Sequence, residues 1–301
     1  FPTRRSSDLP EPDGRYNLVV LGAGTAGLIS AAVAASLGAK VALVEERLMG
    51  GDCLNVGCVP SKGIIRAGRA VDEARRLGEF GVTAGDPKVD FAAAMERMRR
   101  IRSDIAHHDS ASRYRDELGV DVYLGKGRFT GAKSLEVAGR ELLFSRAIIA
   151  TGAGPLVPPI PGLQESGYLT NETLFNLTES PSRIAIVGAG PIGAEMAQAF
   201  RRLGSEVYLL EAADRILPRE DAEVADYLAE RLEGEGIVIL TGSALAEVSR
   251  EGAAKVLKLG NEETLVVDQL LLAIGRAPKV SEMGLDSAGV AYDPRAGVEV
   301  N

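Results

Sequence analysis

Two stretches of the chain repeat one order of apolar runs and spaced glycines. Leu18-Val19-Val20-Leu21 is apolar throughout, as a strand buried on both faces must be. It is followed by Gly22-Ala23-Gly24-Thr25-Ala26-Gly27, an Ala-rich stretch to Leu37-Gly38, and a second apolar run from Val41 that ends at Glu45. The order returns at Ala185-Ile186-Val187-Gly188-Ala189-Gly190-Pro191-Ile192-Gly193, Leu203-Gly204, Val207 and Glu211, at a constant offset of 166 residues. Each copy predicts a whole strand–turn–helix–strand unit. Between them Phe91, Met95, Met98, Ile101 and Ile105 recur at steps of three or four, which predicts one amphipathic helix over 89–118 with its arginines on a solvated face. Short strands are predicted at 120–124, 135–137 and 147–150, the last leading into Thr151-Gly152. A linker rich in Pro and Gly follows at 154–162. Beyond the second unit come a helix near 220–233, strands near 237–240 and 247–257, and an apolar run at 269–274.

The expected fold is α/β, with two Rossmann-like βαβ domains: 14–155, 156–278, and a segment 279–301 that starts a return to the first domain. Residues 1–13 read as a non-native or disordered leader. They lack the apolar core of a secretory signal, and no run approaches the 18 or more apolar residues of a membrane helix, so the cytoplasm is the default location. The hydrophobic fraction of 46% suits buried cores, and the net charge of −8 argues against nucleic acid as a partner.

The glycine turns suit dinucleotides. The first glycine makes the tight turn, the second lets a pyrophosphate approach the backbone, and the third lets helix and strand pack closely. The pyrophosphate sits on the helix N-terminus, where N–H groups and the macrodipole favour anions. Glu45 and Glu211 end the second strand of each unit, placed to accept from a ribose 2′-hydroxyl.

The two cysteines of the chain lie in Gly50-Gly51-Asp52-Cys53-Leu54-Asn55-Val56-Gly57-Cys58-Val59-Pro60-Ser61-Lys62. In an undistorted helix, Cα atoms five residues apart are roughly 8–9 Å from each other, beyond the roughly 4.4–6.8 Å that a disulfide tolerates. A bridge therefore needs an irregular helix, which Gly51 and Gly57 allow. Two buried reduced cysteines are the plain alternative. A structural zinc site would need about four ligands and is not supported, since the remaining soft ligands are the adjacent His107 and His108.

This segment, taken with both glycine units, resembles the active-site region of the flavin-dependent class I pyridine nucleotide-disulfide oxidoreductases, the family of glutathione reductase, dihydrolipoamide dehydrogenase and mercuric reductase. The resemblance implies FAD at the first unit, with contacts from Gly22, Gly24, Gly27, Glu45, Gly51, Lys62, Gly127, Thr151 and Gly152. It implies a nicotinamide nucleotide at the second, held by Gly188, Gly190, Gly193, Glu211, Ala273 and Gly275. A carboxylate at Glu211 suits the 2′-hydroxyl of NADH and repels the 2′-phosphate of NADPH, although Arg215 nearby offers a cation to a phosphate.

The implied reaction carries a hydride from NADH to flavin, then electrons to the Cys53–Cys58 disulfide, then to a small-molecule or protein disulfide or to Hg(II). In it Cys58 lies nearer the flavin, Cys53 exchanges with substrate, and Lys62 with its ion-pair partner Glu195 completes the catalytic set. No resident metal is expected. His107 and His108 do not match the family's catalytic histidine, which belongs to a C-terminal dimerisation domain. The resemblance places that domain beyond Asn301, with a homodimer expected of the whole protein. The chain is therefore expected to be an N-terminal fragment, and the alternative function is a nucleotide-binding module without turnover.

Overall fold

The computed structural model describes residues 9–300. Packing divides the chain into two units, one of Phe1–Gly57, Arg102–Gly154 and Ala277–Asn301, the other of Cys58–Ile101 and Pro155–Arg276. In chain order the elements of the first half are β1 (Arg15–Leu21), α1 (Thr25–Ser36), β2 (Val41–Glu45), α2 (Gly51–Val56), α3 (Cys58–Arg75), α4 (Phe91–Ala106), α5 (Ala111–Asp116), β3 (Asp121–Leu124), β4 (Gly127–Gly131), β5 (Ser134–Val137), β6 (Arg140–Ile149) and β7 (Ala153–Pro155). There follow α6 (Leu163–Ser166), α7 (Asn171–Leu174), β8 (Arg183–Val187), α8 (Pro191–Arg202), β9 (Glu206–Leu210), α9 (Ala222–Gly234), β10 (Val238–Leu240), β11 (Leu245–Glu251), β12 (Ala254–Leu259), β13 (Thr264–Val267) and β14 (Gln269–Leu272).

The first unit is built on a six-stranded sheet in the order β3-β2-β1-β6-β5-β4. Its first four strands are parallel, with Leu18 opposite Val41 and Leu21 opposite Ile149, and β5 and β4 continue it antiparallel. The apolar run of β1 is explained by this position. Val19 and Leu21 join one core with Ala42, Val44 and Phe144, while Val20 joins the opposite one with Leu28, Ala31 and Leu43. The last segment returns to the same unit, where Val280, Met283 and Leu285 enter the core beside Phe129 and the Met283 carbonyl accepts from the Phe129 N–H at 2.8 Å.

The second unit holds a parallel sheet, β10-β9-β8-β14, and an antiparallel one, β11-β12-β13. Helices α3 and most of α4 are counted with this unit, where the segmental division read from the sequence puts 58–101 in the first. Ile64, Met95 and Met98 share a core with Ile184, Phe200 and Leu209.

Three local expectations are corrected. The helix over 89–118 is interrupted, because a three-residue 3-10 turn, His107–Asp109, ends it. Ser110 then adopts an extended conformation and caps α5, its hydroxyl accepting from the Arg113 N–H. β6 is ten residues long, not confined to 147–150, and β4 was not foreseen. The arginines of α4 are not all solvated: Arg99 donates to the Leu177 carbonyl at 2.7 Å and Arg102 to that of Asn55 at 3.0 Å.

Of the leader, residues 1–8 lie outside the described residues. Leu9 is buried, Glu11 pairs with Arg140 at 2.7 Å, and Asp13 pairs with Lys40. No helix of the described residues is long and apolar enough to cross a membrane.

Candidate functional site

In the first unit the chain leaves β1 at Gly22, whose φ of +97° is a left-handed turn suited to glycine. A Cβ on Gly27 would stand 1.8 Å from the Gly22 carbonyl oxygen, so helix and turn can touch only because that atom is absent. Gly51, in turn, lies against Gly24: a Cβ there would stand 2.5 Å from the Gly24 Cα. At the end of β2 the Glu45 carboxylate accepts from the Ala23 N–H and from the Arg47 N–H, each at 2.7 Å. The acid is therefore bonded to the glycine turn itself.

Beside this turn lies a cavity of about 430 Å³, lined among others by Gly22, Glu45, Arg47, Lys126, Gly127 and Thr151. The volume lies within the range of small-molecule sites, and a carboxylate, cations and a bare glycine turn at the ends of parallel strands suit the ribose and adenine end of a dinucleotide. Gly127 begins β4 against Val44 and Leu21, and so serves as cavity wall. Thr151 donates to the Lys279 carbonyl at 2.8 Å, while the Gly152 carbonyl accepts from the Lys279 N–H at 2.9 Å.

The second unit repeats the arrangement bond for bond. Gly188 has a φ of +100°, and a Cβ on Gly193 would stand 1.9 Å from its carbonyl oxygen. Glu211 accepts from the Ala189 N–H at 2.8 Å and from the Ala213 N–H at 3.0 Å. Pro191 opens α8, where a missing N–H costs nothing. Ala273 follows β14 and donates to the Val187 carbonyl at 2.7 Å, and Gly275 takes a φ of +134°. A Cβ on Gly190 would meet nothing within 4 Å, so packing alone does not require glycine at that position. Arg215 is turned into its own loop, donating to the carbonyls of Pro218 and Glu220 at 3.2 and 3.0 Å.

Of the cysteines, Cys53 lies half-buried in α2 and Cys58 is exposed as the first residue of α3. Helix α2 ends at Val56, and Gly57, at φ −136° and ψ −112°, belongs to neither helix. A Cβ on Gly57 would stand 2.8 Å from the Asp52 carbonyl oxygen. One turn into α3, Lys62 places its ammonium 2.7 Å from both carboxylate oxygens of Glu195 on α8. His107 and His108 lie side by side, ring centroids 3.7 Å apart and planes tilted by 41°, in the 3-10 turn after α4. No cluster of three or more metal-binding side chains occurs among the described residues.

Two residues near the cysteines escaped the sequence reading. Asn55 donates its amide back to the carbonyls of Met49 and Gly51 at 3.0 and 2.8 Å, and its own carbonyl accepts from Arg102. The sequence carried no signal for this bond, because the apolar stripe of the helix continues through Ile101 and Ile105 with Arg102 beside it.

A family model described as pyridine nucleotide-disulphide oxidoreductase matches residues 16–301. The mercuric reductase of Lysinibacillus sphaericus is 35% identical over 281 residues, 92% of this chain and 51% of that protein. The dihydrolipoyl dehydrogenase of Acholeplasma laidlawii is 34% identical over 291 residues, 95% of this chain and 85% of that one. Among solved structures, the HOCl-induced flavoprotein disulfide reductase RclA from Escherichia coli aligns with a TM-score of 0.85 at 32% identity, covering 95% of this chain and 62% of that chain. The chain spans about half the length of the mercuric reductases it matches.

Proposed function

The chain belongs to the pyridine nucleotide-disulphide oxidoreductase family, and from that premise we propose that it binds FAD at the first glycine turn and NADH at the second. Cys53 and Cys58 are the redox disulfide, and electrons leave through them to a small-molecule or protein disulfide or to Hg(II). The observation that carries this reading is the pair of matched turns, each with its carboxylate bonded to the loop, one of them running directly into the segment that holds both cysteines. Gly22, Gly24, Gly27, Glu45, Gly51, Gly127, Thr151 and Gly152 would hold FAD; Gly188, Gly190, Gly193, Glu211, Ala273 and Gly275 would hold NADH. The chemistry that FAD supplies when bound is two-electron transfer between a nicotinamide hydride and a disulfide.

The protein's own groups then have defined tasks. Glu211 accepts from two backbone N–H groups and keeps its carboxylate at the end of β9, where it favours a 2′-hydroxyl and repels a 2′-phosphate. The engagement of Arg215 with its own loop supports the same preference. Cys58 opens an 18-residue helix, at the end where negative charge is favoured. Lys62 is steadied by Glu195 and presents a cation one turn further on. In the whole protein a homodimer would complete the site.

The test is to load the chain with FAD, oxidise it, and add at least two equivalents of NADH without oxygen, two electrons for the flavin and two for the disulfide. The expected result is a bleached flavin spectrum together with two newly alkylatable thiols per chain. Bleaching without new thiols would leave a nucleotide-binding flavoprotein and sink the disulfide assignment.

A further inference from the structure

We propose that Arg102 is a positioning residue for the Cys53–Cys58 pair, which keeps the break between α2 and α3 from closing into one continuous helix; this rests on the reading of that pair as a redox disulfide. Helix α2 stops at Val56, so the Asn55 carbonyl, in its last turn, has no donor four residues ahead. A half-buried carbonyl without a donor would favour extending the helix through Gly57 to supply one. Arg102 removes that drive: its Nη1 donates to the Asn55 carbonyl at 3.0 Å. The other end of the segment is tied as well, since the Asn55 amide donates to the carbonyls of Met49 and Gly51. Asn55 stands between the two cysteines in sequence, and its backbone is held from α4 while its side chain grips the start of α2.

The break matters because of distance. In a continuous helix the Cα atoms of Cys53 and Cys58 would lie roughly 8–9 Å apart, too far for the roughly 4.4–6.8 Å of a disulfide. Gly57 permits the break, its position against the Asp52 carbonyl leaving no room for a Cβ. Arg102 supplies one of the bonds that the broken helix lacks. Arg102 is half-buried, and a cation there has desolvation to offset, as a half-buried bond to a carbonyl does.

The test uses the full chain in glutathione redox buffers, where two thiols and one glutathione disulfide give the protein disulfide and two molecules of reduced glutathione. The fraction oxidised is counted by alkylation and mass. Arg102→Met keeps the stem and removes the donor and the charge, and Arg102→Lys restores a charged donor. We expect Arg102→Met to lower the equilibrium constant for forming the disulfide by about tenfold, which is about 30 mV for a two-electron couple, and Arg102→Lys to recover part of it. Arg99→Ala, which removes a bond from the same helix to the Leu177 carbonyl, should leave the constant unchanged. If Arg102 acted only through its charge, favouring thiolates, its loss would raise the constant instead. An unchanged or raised constant in a cooperatively melting Arg102→Met chain overturns the proposal. Failure of the unaltered chain to form the disulfide at all overturns the redox reading, and this proposal with it.

Discussion

Lys62 meets both carboxylate oxygens of Glu195 at 2.7 Å, a closed ion pair between α3 and α8 in which the side chains remain 60% and 41% exposed. A pair this open to water contributes at most about 1 kcal/mol to stability. Glu195→Gln should therefore move the melting temperature by no more than about 4 °C. If the pair serves to steady a cation for bound flavin, the same variant slows flavin reduction by NADH on the order of tenfold, or about 1.4 kcal/mol of barrier. Rapid-mixing absorbance of the FAD-loaded chain and a thermal melt of the same sample measure the two quantities. A large melting shift with an unchanged rate would make the pair purely structural.

The second and third glycines of the second turn should separate by experiment. At Gly193 an added methyl meets the Gly188 carbonyl at 1.9 Å, so Gly193→Ala should cost about 3 kcal/mol or more in stability. At Gly190 the methyl meets nothing within 4 Å, and φ −73° with ψ −175° suits any residue. Gly190→Ala should melt like the parent and bind NADH on the order of tenfold more weakly, because the methyl occupies the path of the pyrophosphate. Calorimetric NADH titration beside a thermal melt checks both, and unaltered affinity in Gly190→Ala would remove the nucleotide from this turn.

Lys255 on β12 is 6% exposed, its ammonium donating to the Asp268 carbonyl at 3.1 Å. Burial holds its pKa below the usual lysine value, with the Arg250 guanidinium acting the same way. The unfolded chain thus binds a proton more readily than the folded one, and stability rises as pH climbs from the folded pKa towards the unfolded value of 10.5. Lys255→Met should be the more stable protein at pH 7, by something on the order of 1 kcal/mol. Its advantage should shrink as the pH approaches 10.5. Urea unfolding across that pH range would expose a wrong sign directly.

Tyr16 donates its hydroxyl to Asp121 at 2.7 Å and shares a bond with the Tyr123 hydroxyl at 2.8 Å, beneath the sheet of the first unit. Burial, with these two bonds, pushes the Tyr16 phenol well above the ordinary value of 10.0. A proton retained only in the folded state stabilises below pH 10 and ceases to do so as the pH rises further. Tyr16→Phe should cost about 1–3 kcal/mol at neutral pH, a loss that narrows in strongly alkaline solution. Chemical denaturation at neutral and alkaline pH measures it, and a constant difference would mean that the phenol titrates normally.

What could be read from the chain was local. The turn at Gly22, its copy at Gly188 and the strands ending at Glu45 and Glu211 are each written within about thirty consecutive residues, and the structure has them with matching bonds. What could not be read depends on distant partners. β6 carries Arg140, Glu141 and Arg146 and so shows no long apolar run, yet it sits between β1 and β5 because its alternate residues Leu142 and Phe144 face the core. Placement of Ile64, Met95 and Met98 against Phe200 is likewise invisible in either helix alone. Arg102 was misread because a bond to a backbone carbonyl 47 residues earlier leaves no pattern in the sequence.

The carboxylates of Glu45 and Glu211 each hold their glycine turn through the N–H of the residue after the first glycine. The entropy of ordering these loops is thus lost once, during folding, and need not be lost again when a dinucleotide arrives. The same two side chains proposed to meet the ribose also keep its cradle in shape beforehand. Replacing either acid should therefore loosen its turn, so a substitution at Glu211 that relieves repulsion of a 2′-phosphate must also replace the bond to Ala189.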